Sequence, residues 1–365
     1  MSSSTKIELR ESRESDLESV KRLWKLSFAA PYNVFQPNDY ARNQLSKLFV
    51  AVVDGQVASC AAYIDFDTQL SGRPLSCAGI AAVATHPSYR RQGLTKKLIA
   101  EIMQDLDKRE IPLAALWPFS YGFYENLGFA ASDKQLEVKL KIERLPQDGD
   151  GSKYKEENDL TKLDALHRQW CQGYDLSFSR APRRWKRMTE RYGSETLFVK
   201  HQDELGYMLI TLDKNSEDLL VVQEFCYLNQ SAFLDGLTFL AQFDSQFDKV
   251  SLLLAHSHYD LLMARGVGRH PDHHVELVPG MMSRVAHYPT FKKALGAELF
   301  SSIEIADPLK SRDKIRGQMS IGPGELVQVL SGFYGTLPQH LQAFEHLLKC
   351  ASTSNGRQAF SVEKY

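Results

Sequence analysis

From Leu75 to Leu106 the chain runs through an apolar segment, a short basic turn and an amphipathic helix, and this order constrains the fold more than any other stretch. "LSCAGIAAVATHP" has the small and β-branched residues of a strand, and "GLTKKLIAEIMQDLDKREI" repeats its apolar residues on one helical face. Between them stand Arg90, Arg91, Gln92, Gly93, Leu94 and Thr95. A strand entering a helix through such a turn sets several backbone N–H groups in one concavity, at the positive end of the helix dipole. Gly93 lets a ligand approach the main chain, and Arg90 and Arg91 add full charge beside it. A pyrophosphate fits that geometry, and so does a solvated helix start. The turn has neither the GxxxxGKS/T of a nucleotide-hydrolysing P-loop nor the GxGxxG of a dinucleotide fold, which leaves ATP and NAD poorly supported.

The flanking sequence supplies the rest of a unit. "KIELR" reads as a strand, and "SRESDLESVKRLWKLSFAA" as a capped helix with Leu17, Val20, Leu23, Trp24 and Phe28 at helical spacing. The stretch from "KLFVAVV" to "AAVATHP" reads as three strands, the first two joined at Asp54-Gly55. After the central helix come "PLAALWP", a buried strand, "YGFYENLG", a short helix, and "QLEVKL", a last strand. The polar, glycine-rich "RLPQDGDGSKYKEEND" reads as a linker. Beyond it the same order of helix, strands, helix and strand recurs with little identity, but only "NQSA" separates the strand "EFCYL" from its helix. A third, small α+β unit opens near "GMMSRVAHYPTFKKAL".

A length of 365 residues accommodates two or three such units, and 43% hydrophobic residues suffice for their cores. Lys and Arg (44) balance Asp and Glu (45), which argues against a general attraction to nucleic acid and gives a local cation cluster a local purpose. "MSSSTKIELRESRESDLESV" lacks an apolar signal core, and no apolar run of about 18 residues occurs, so a cytoplasmic protein without membrane attachment is expected. Cys60, Cys77, Cys171, Cys226 and Cys350 are widely spaced and form no CxxC pair, which predicts free thiols, mostly buried. His256, His258, His270, His273 and His274 match no familiar zinc spacing, and no metal is expected; "RAPRRWKR", residues 180–187, reads as a solvated basic helix face.

One helix and one strand beyond the basic turn comes "FYENLGF", with Tyr124, Gly128 and Phe129. An Arg-x-x-Gly turn after a central strand, followed by Tyr-x-x-x-Gly-Phe after the next, resembles the acetyl-CoA site of the GNAT superfamily of N-acetyltransferases. The whole-chain plan resembles the enhanced intracellular survival (Eis) acetyltransferases: "YRRQGL" and "AALWPFSYGFYENLGF" match their first domain, and "MMSRVAHYPTFKKAL" the opening of their third. This resemblance implies an α+β fold of tandem GNAT domains, with an active domain over residues 1–145 and a degenerate copy over 146–278. A shortened sterol-carrier-like domain would occupy 279–365. Thr95 stands where the family often has Gly or Ala, and the third domain lacks some central strands.

By that resemblance the cosubstrate is acetyl-CoA, and transfer to the amine is direct. Main-chain groups of Val83, Ala84 and Thr85 would run beside the pantetheine; Arg91, Gln92, Gly93, Leu94, Thr95 and Lys96 would cradle the pyrophosphate; Phe119 and Ser120 would line the exit from the next strand. Tyr124 would be the general acid. "LSCAGIAAVATHP" has no carboxylate to act as base, and the resemblance assigns that role to the C-terminal carboxylate, here of Tyr365. Trp24, Phe28, Tyr32 and Phe35 would wall the acceptor pocket, with Trp24 read as core. The implied acceptor is an aminoglycoside-, polyamine- or lysine-like amine, with no nucleic-acid or membrane partner and a homo-oligomer, a hexamer by analogy. A non-catalytic CoA-sensing or lipid-binding protein is the alternative.

Overall fold

The computed structural model describes residues 6–28, 47–182, 184, 185, 188, 196–212, 218–264, 270–309, 320–334, 336–347, 349 and 359. The chain divides into two compact units, one built on residues 1–132 and 281–356, the other on residues 133–280. The first unit begins with β1 (Ile7–Glu11), α1 (Leu17–Ser27), β2 (Lys47–Val53), β3 (Gln56–Leu70) and β4 (Arg73–Thr85). It continues through α2 (Leu94–Lys108), β5 (Leu113–Leu116), α3 (Tyr121–Glu125) and β6 (Ala130–Ala131). The second unit comprises β7 (Lys134–Lys141), β8 (Tyr154–Glu156), α4 (Asp164–Cys171), β9 (Thr196–His201), β10 (Gly206–Thr211) and β11 (Leu219–Tyr227). After these come α5 (Gln230–Ala241), β12 (Lys249–Ala255), α6 (Tyr259–Ala264) and β13 (His274–Pro279). The chain then returns to the first unit with β14 (Met282–Val285), α7 (Tyr288–Leu295), β15 (Glu304–Ile305), β16 (Ser320–Ile321) and α8 (Pro323–Leu330).

Each unit carries a seven-stranded sheet, β1-β2-β3-β4-β5-β14-β6 in the first and β13-β7-β12-β11-β10-β9-β8 in the second. In both, four antiparallel strands lead to a single parallel step, β4 with β5 and β11 with β12. Asp54 and Gly55, with φ of 48° and 84°, make the tight turn between β2 and β3 that their sequence predicts. The strand after the parallel step is in each case distant in sequence: β14 pairs with β5, and β7 with β12. "QLEVKL", expected to end the first unit, therefore belongs to the second sheet, and the strand expected to open a third unit lies inside the first. β7 buries Leu136, Val138 and Leu140 in alternation while β14 buries all four of its side chains, and neither pattern names a sheet; membership is decided by partners more than a hundred residues away.

Of the residues expected to form a third domain, the described ones from Met281 to Lys349 belong to the first unit, where Ser71 Oγ in the β3–β4 turn donates to Leu330 O of α8 at 3.1 Å, whereas Ala359 bridges to Asp175 of the second. Along the sheet α2 buries Leu94, Leu98, Ile99, Ile102, Met103 and Leu106 against Phe49, Ala51, Ala61, Tyr63 and Ala78. Full burial of one such large apolar side chain contributes about 1.5–3 kcal/mol. The helix that begins at the basic turn is therefore firmly anchored. Cys60, Cys77, Cys171 and Cys226 are buried free thiols, and Cys350 lies outside the described residues. Among the described residues no helix is long and apolar enough to cross a membrane.

Candidate active site

The central strand β4 is irregular where the site begins. Cys60 of β3 pairs with Ala84, but Ala62 pairs with Ala81, so Ala82 and Val83 together oppose the single residue Ala61. This bulge is accompanied by a left-handed backbone at Ala82, φ 55°, which a residue with a Cβ rarely adopts. On its other edge β4 pairs with β5 only from Cys77 to Ile80, opposite Leu113 to Leu116, and then continues alone to Thr85. The two strands separate, and the backbone of Val83, Ala84 and Thr85 borders the opening.

Beyond β4, His86 accepts a hydrogen bond from Ser88 N and starts a short 3-10 turn. Arg91 and Gly93 follow with left-handed backbones, φ 63° and 74°, and Gly93 is the N-cap of α2. No side chain caps this helix, and no acidic residue stands in its first turn. Its leading N–H groups lack intrahelical partners by construction. Arg90, Arg91 and Lys96, all exposed, surround them. Cations at the positive end of a helix are mutually unfavourable unless an anion joins them. A Cβ placed on Gly93 would meet nothing within 4 Å, so the space over the turn is open. These features favour the anion cradle over a solvated helix start.

A cleft of about 740 Å³ joins the strand opening to the turn, lined by Val83, Ala84, Thr85, Arg91, Gly93, Leu94, Thr95, Lys96 and Phe119 among the sequence-predicted residues. Two of those residues are elsewhere: Gln92 is exposed with its Nε2 donating to Ser88 O at 3.5 Å, and Ser120 is exposed at the N-cap of α3. Tyr89, Arg90, Ser27, Phe28 and Phe123 complete the lining. Of these, Arg90 was placed beside the turn by sequence and Phe28 in the acceptor wall; Tyr89, Ser27 and Phe123 carry no motif signal. Thr95 Oγ1 is 2.9 Å from Thr85 Oγ1, which is 2.7 Å from Ser59 Oγ, and Ser59 donates to Ala84 O. That chain is satisfied when Thr85 donates to Ser59 and Thr95 to Thr85, and the Thr95 hydroxyl can instead rotate to donate to a ligand.

Tyr124 sits on α3 with its ring packed edge-on against Phe119, Phe123 and Phe129 at centroid distances of 5.2, 5.0 and 5.9 Å. It lies beneath the cleft wall and is only 2% exposed. Burial alone holds its phenol well above the ordinary tyrosine range, and among the described residues its hydroxyl has no hydrogen-bond partner. The turn that follows α3 is held from below. Arg284 of β14, 1% exposed, donates to Leu127 O, pairs with Asp307 at 2.6 Å, and places its guanidinium 5.7 Å from the Phe129 ring centroid. Trp24 is 3% exposed and is core, while Tyr32, Phe35 and Tyr365 lie outside the described residues.

The corresponding turn of the second unit is chemically different. Asn229 caps α5, its side chain accepting from Ala232 N at 2.9 Å, so the helix satisfies its own N-terminus. Tyr227 and Phe233 stack nearby with His258, at centroid distances of 5.0 and 5.8 Å from its ring. Arg180, read from sequence as part of a solvated basic face, is instead 1% exposed, paired with Glu224 and stacked 4.7 Å over Trp185. Lys186 and Arg187 of that run lie outside the described residues. His270 and His273 have ring centroids 5.2 Å apart and His274 is near Glu276, but no group of three or more metal-ligating side chains forms among the described residues.

Two family models match the chain, both described as acetyltransferase (GNAT) domain, over residues 8–132 and 176–285. The N-acetyltransferase Eis of Mycobacterium tuberculosis is 23% identical over 291 residues, covering 71% of this chain and 70% of that protein. Among solved structures, a GCN5-related N-acetyltransferase from Anabaena variabilis superposes with a TM-score of 0.78 at 17% identity, over 99% of this chain and all of its own. Eis1 from Mycobacterium abscessus superposes with a TM-score of 0.74 at 16% identity over the same shares. These matches over nearly the whole chain show a shared fold.

Proposed function

Because both units match GNAT acetyltransferase domains and the chain is similar over 71% of its length to the N-acetyltransferase Eis, we propose that its first unit transfers the acetyl group of acetyl-CoA directly to a primary amine. One observation carries this reading: a strand end that has parted from its neighbour and an uncapped, cation-ringed helix N-terminus open into the same cleft. Such a cleft suits a ligand with a strand-like amide arm and a pyrophosphate. The open space over Gly93 and the free first-turn amides fit that ligand. Arg91, Gly93, Leu94, Thr95 and Lys96 would hold the pyrophosphate, and Val83, Ala84 and Thr85 the pantetheine; Gln92 and Ser120 would join them by reorienting.

Acetyl-CoA supplies the acyl group and a thiolate leaving group; the chain's residues manage charge and protons. An alkylamine is protonated at neutral pH, so its proton must pass to a base before the nitrogen attacks. The carboxylate of Tyr365 is proposed for that role. As the C–N bond forms and the C–S bond breaks, the phenol of Tyr124 gives its proton to the departing sulfur, and the second proton that the nitrogen sheds in becoming an amide restores the phenol. Burial keeps that phenol protonated at neutral pH. The acceptor is proposed to be a polyamine-, aminoglycoside- or lysine-like amine, and the chain a homo-oligomer. With Asn229 satisfying its helix, the second unit is proposed to bind no CoA. A panel of these amines with acetyl-CoA, following thiol release, tests the function. Release that depends on an amine supports it; tight CoA binding without turnover on any amine replaces it with a CoA-sensing role.

A further inference from the structure

The bulge of β4 needs a reason to hold a left-handed alanine. The indole Nε1 of Trp24, on the buried face of α1, donates to Ala82 O at 3.2 Å, across 58 residues of sequence. The thiol of Cys60 on β3 lies 3.6 Å from the same oxygen and, with burial pushing its pKa up to about 12, keeps its proton. The Ala82 carbonyl is therefore turned toward α1 and β3. Its peptide bond is trans, as are all those described, so the N–H of Val83 points the opposite way. On the edge of β4 that faces β5 the pairing has already stopped at Ile80 and Leu116, and Val83 borders the cleft there.

We propose that Trp24 is a positioning residue for acetyl transfer: by holding the Ala82 carbonyl it aims the Val83 N–H at the thioester oxygen. This inference rests on the acetyltransferase reading of the cleft. Negative charge builds on that oxygen as the amine attacks, and a donor fixed in advance stabilises it without reorganisation. The two hydrogen bonds share one amide, so polarising the N–H strengthens the bond at the carbonyl, and the indole proton reports on the acyl group.

The test uses the indole N–H resonances of the 15N-labelled full chain, which has four tryptophans. Trp24 is assigned by Trp24→Phe, or by replacing Trp117, Trp170 and Trp185 in turn if that variant does not fold. Acetyl-CoA should move the Trp24 indole proton downfield further than CoA does. Trp24→Phe should lower kcat about tenfold or more, keep KM for acetyl-CoA within about threefold, and raise the infrared carbonyl frequency of bound 13C-acetyl-CoA toward its value in water. Equal shifts with CoA and acetyl-CoA overturn the proposal, as does a variant with unchanged kcat and carbonyl band. Failure of the wild type to bind acetyl-CoA overturns the cleft reading along with it, so the two failures are separable.

Discussion

Gly93→Ala separates the conformational role of this glycine from its role toward a ligand, because Gly55 provides a matched control. Both have positive φ, 74° and 84°, and a Cβ on either meets nothing within 4 Å. The folded chain therefore resists alanine only through the left-handed backbone, about 1 kcal/mol at each site. Denaturant unfolding should show similar small losses for Gly93→Ala and Gly55→Ala. CoA affinity should not behave alike. A methyl group standing in the open space over the turn keeps a phosphate from the first-turn amides, and a hydrogen bond to a charged group is worth about 1.5–3 kcal/mol. Losing one raises Kd roughly 10- to 150-fold. Isothermal titration with CoA should find that rise for Gly93→Ala alone, with Gly93→Val worse. Equal affinities for the two alanine variants would refute the cradle.

Tyr124→Phe keeps the aromatic packing and should lower kcat strongly with little change in KM for acetyl-CoA; near-normal turnover makes Tyr124 a packing residue. Burial raises its folded pKa above the unfolded value of about 10, so the stability it contributes is complete below that pH and is lost as pH climbs through the raised value. Ultraviolet titration of wild type against Tyr124→Phe should accordingly show no phenolate from this residue up to about pH 10. Asn229→Ala should cost about 1 kcal/mol as a lost helix cap while leaving CoA affinity untouched; weakened CoA binding would place a ligand in the second unit. Arg284→Met leaves Asp307 buried without its partner and should cost about 3–5 kcal/mol, largely recovered by adding Asp307→Leu. Residues appended after Tyr365 should abolish turnover without weakening acetyl-CoA binding, whereas an N-terminal tag should not; equal turnover moves the base elsewhere.

What sequence disclosed follows from how local each feature is. The strand, basic turn and helix from Leu75 to Leu106 are set by neighbouring residues, and their placement of Val83, Arg91, Gly93 and Thr95 in one cleft follows from connectivity. The exchange of β7 and β14 between sheets depends on partners far along the chain, which no local pattern of apolar residues in either strand identifies. The bulge was hidden because an alanine gives no sign of a left-handed backbone, and the indole that meets its carbonyl stands 58 residues earlier. Arg180 looked solvated beside other cations, and only the fold shows Glu224 waiting for it. Gln92 and Ser120 were placed by motif position alone, which cannot say where an exposed side chain points.

If the first-unit cleft passes acetyl directly from CoA to an amine, no acetylated protein forms on the way. Mixing the protein with acetyl-labelled acetyl-CoA and measuring label on protein, amine and released thiol tests it most directly. Direct transfer leaves no label on the protein without amine and, with a productive amine, gives one acetyl group on the amine for each thiol released, abolished by Gly93→Val. Label retained on the protein before amine is added, or thiol release unaffected by Gly93→Val, would contradict it.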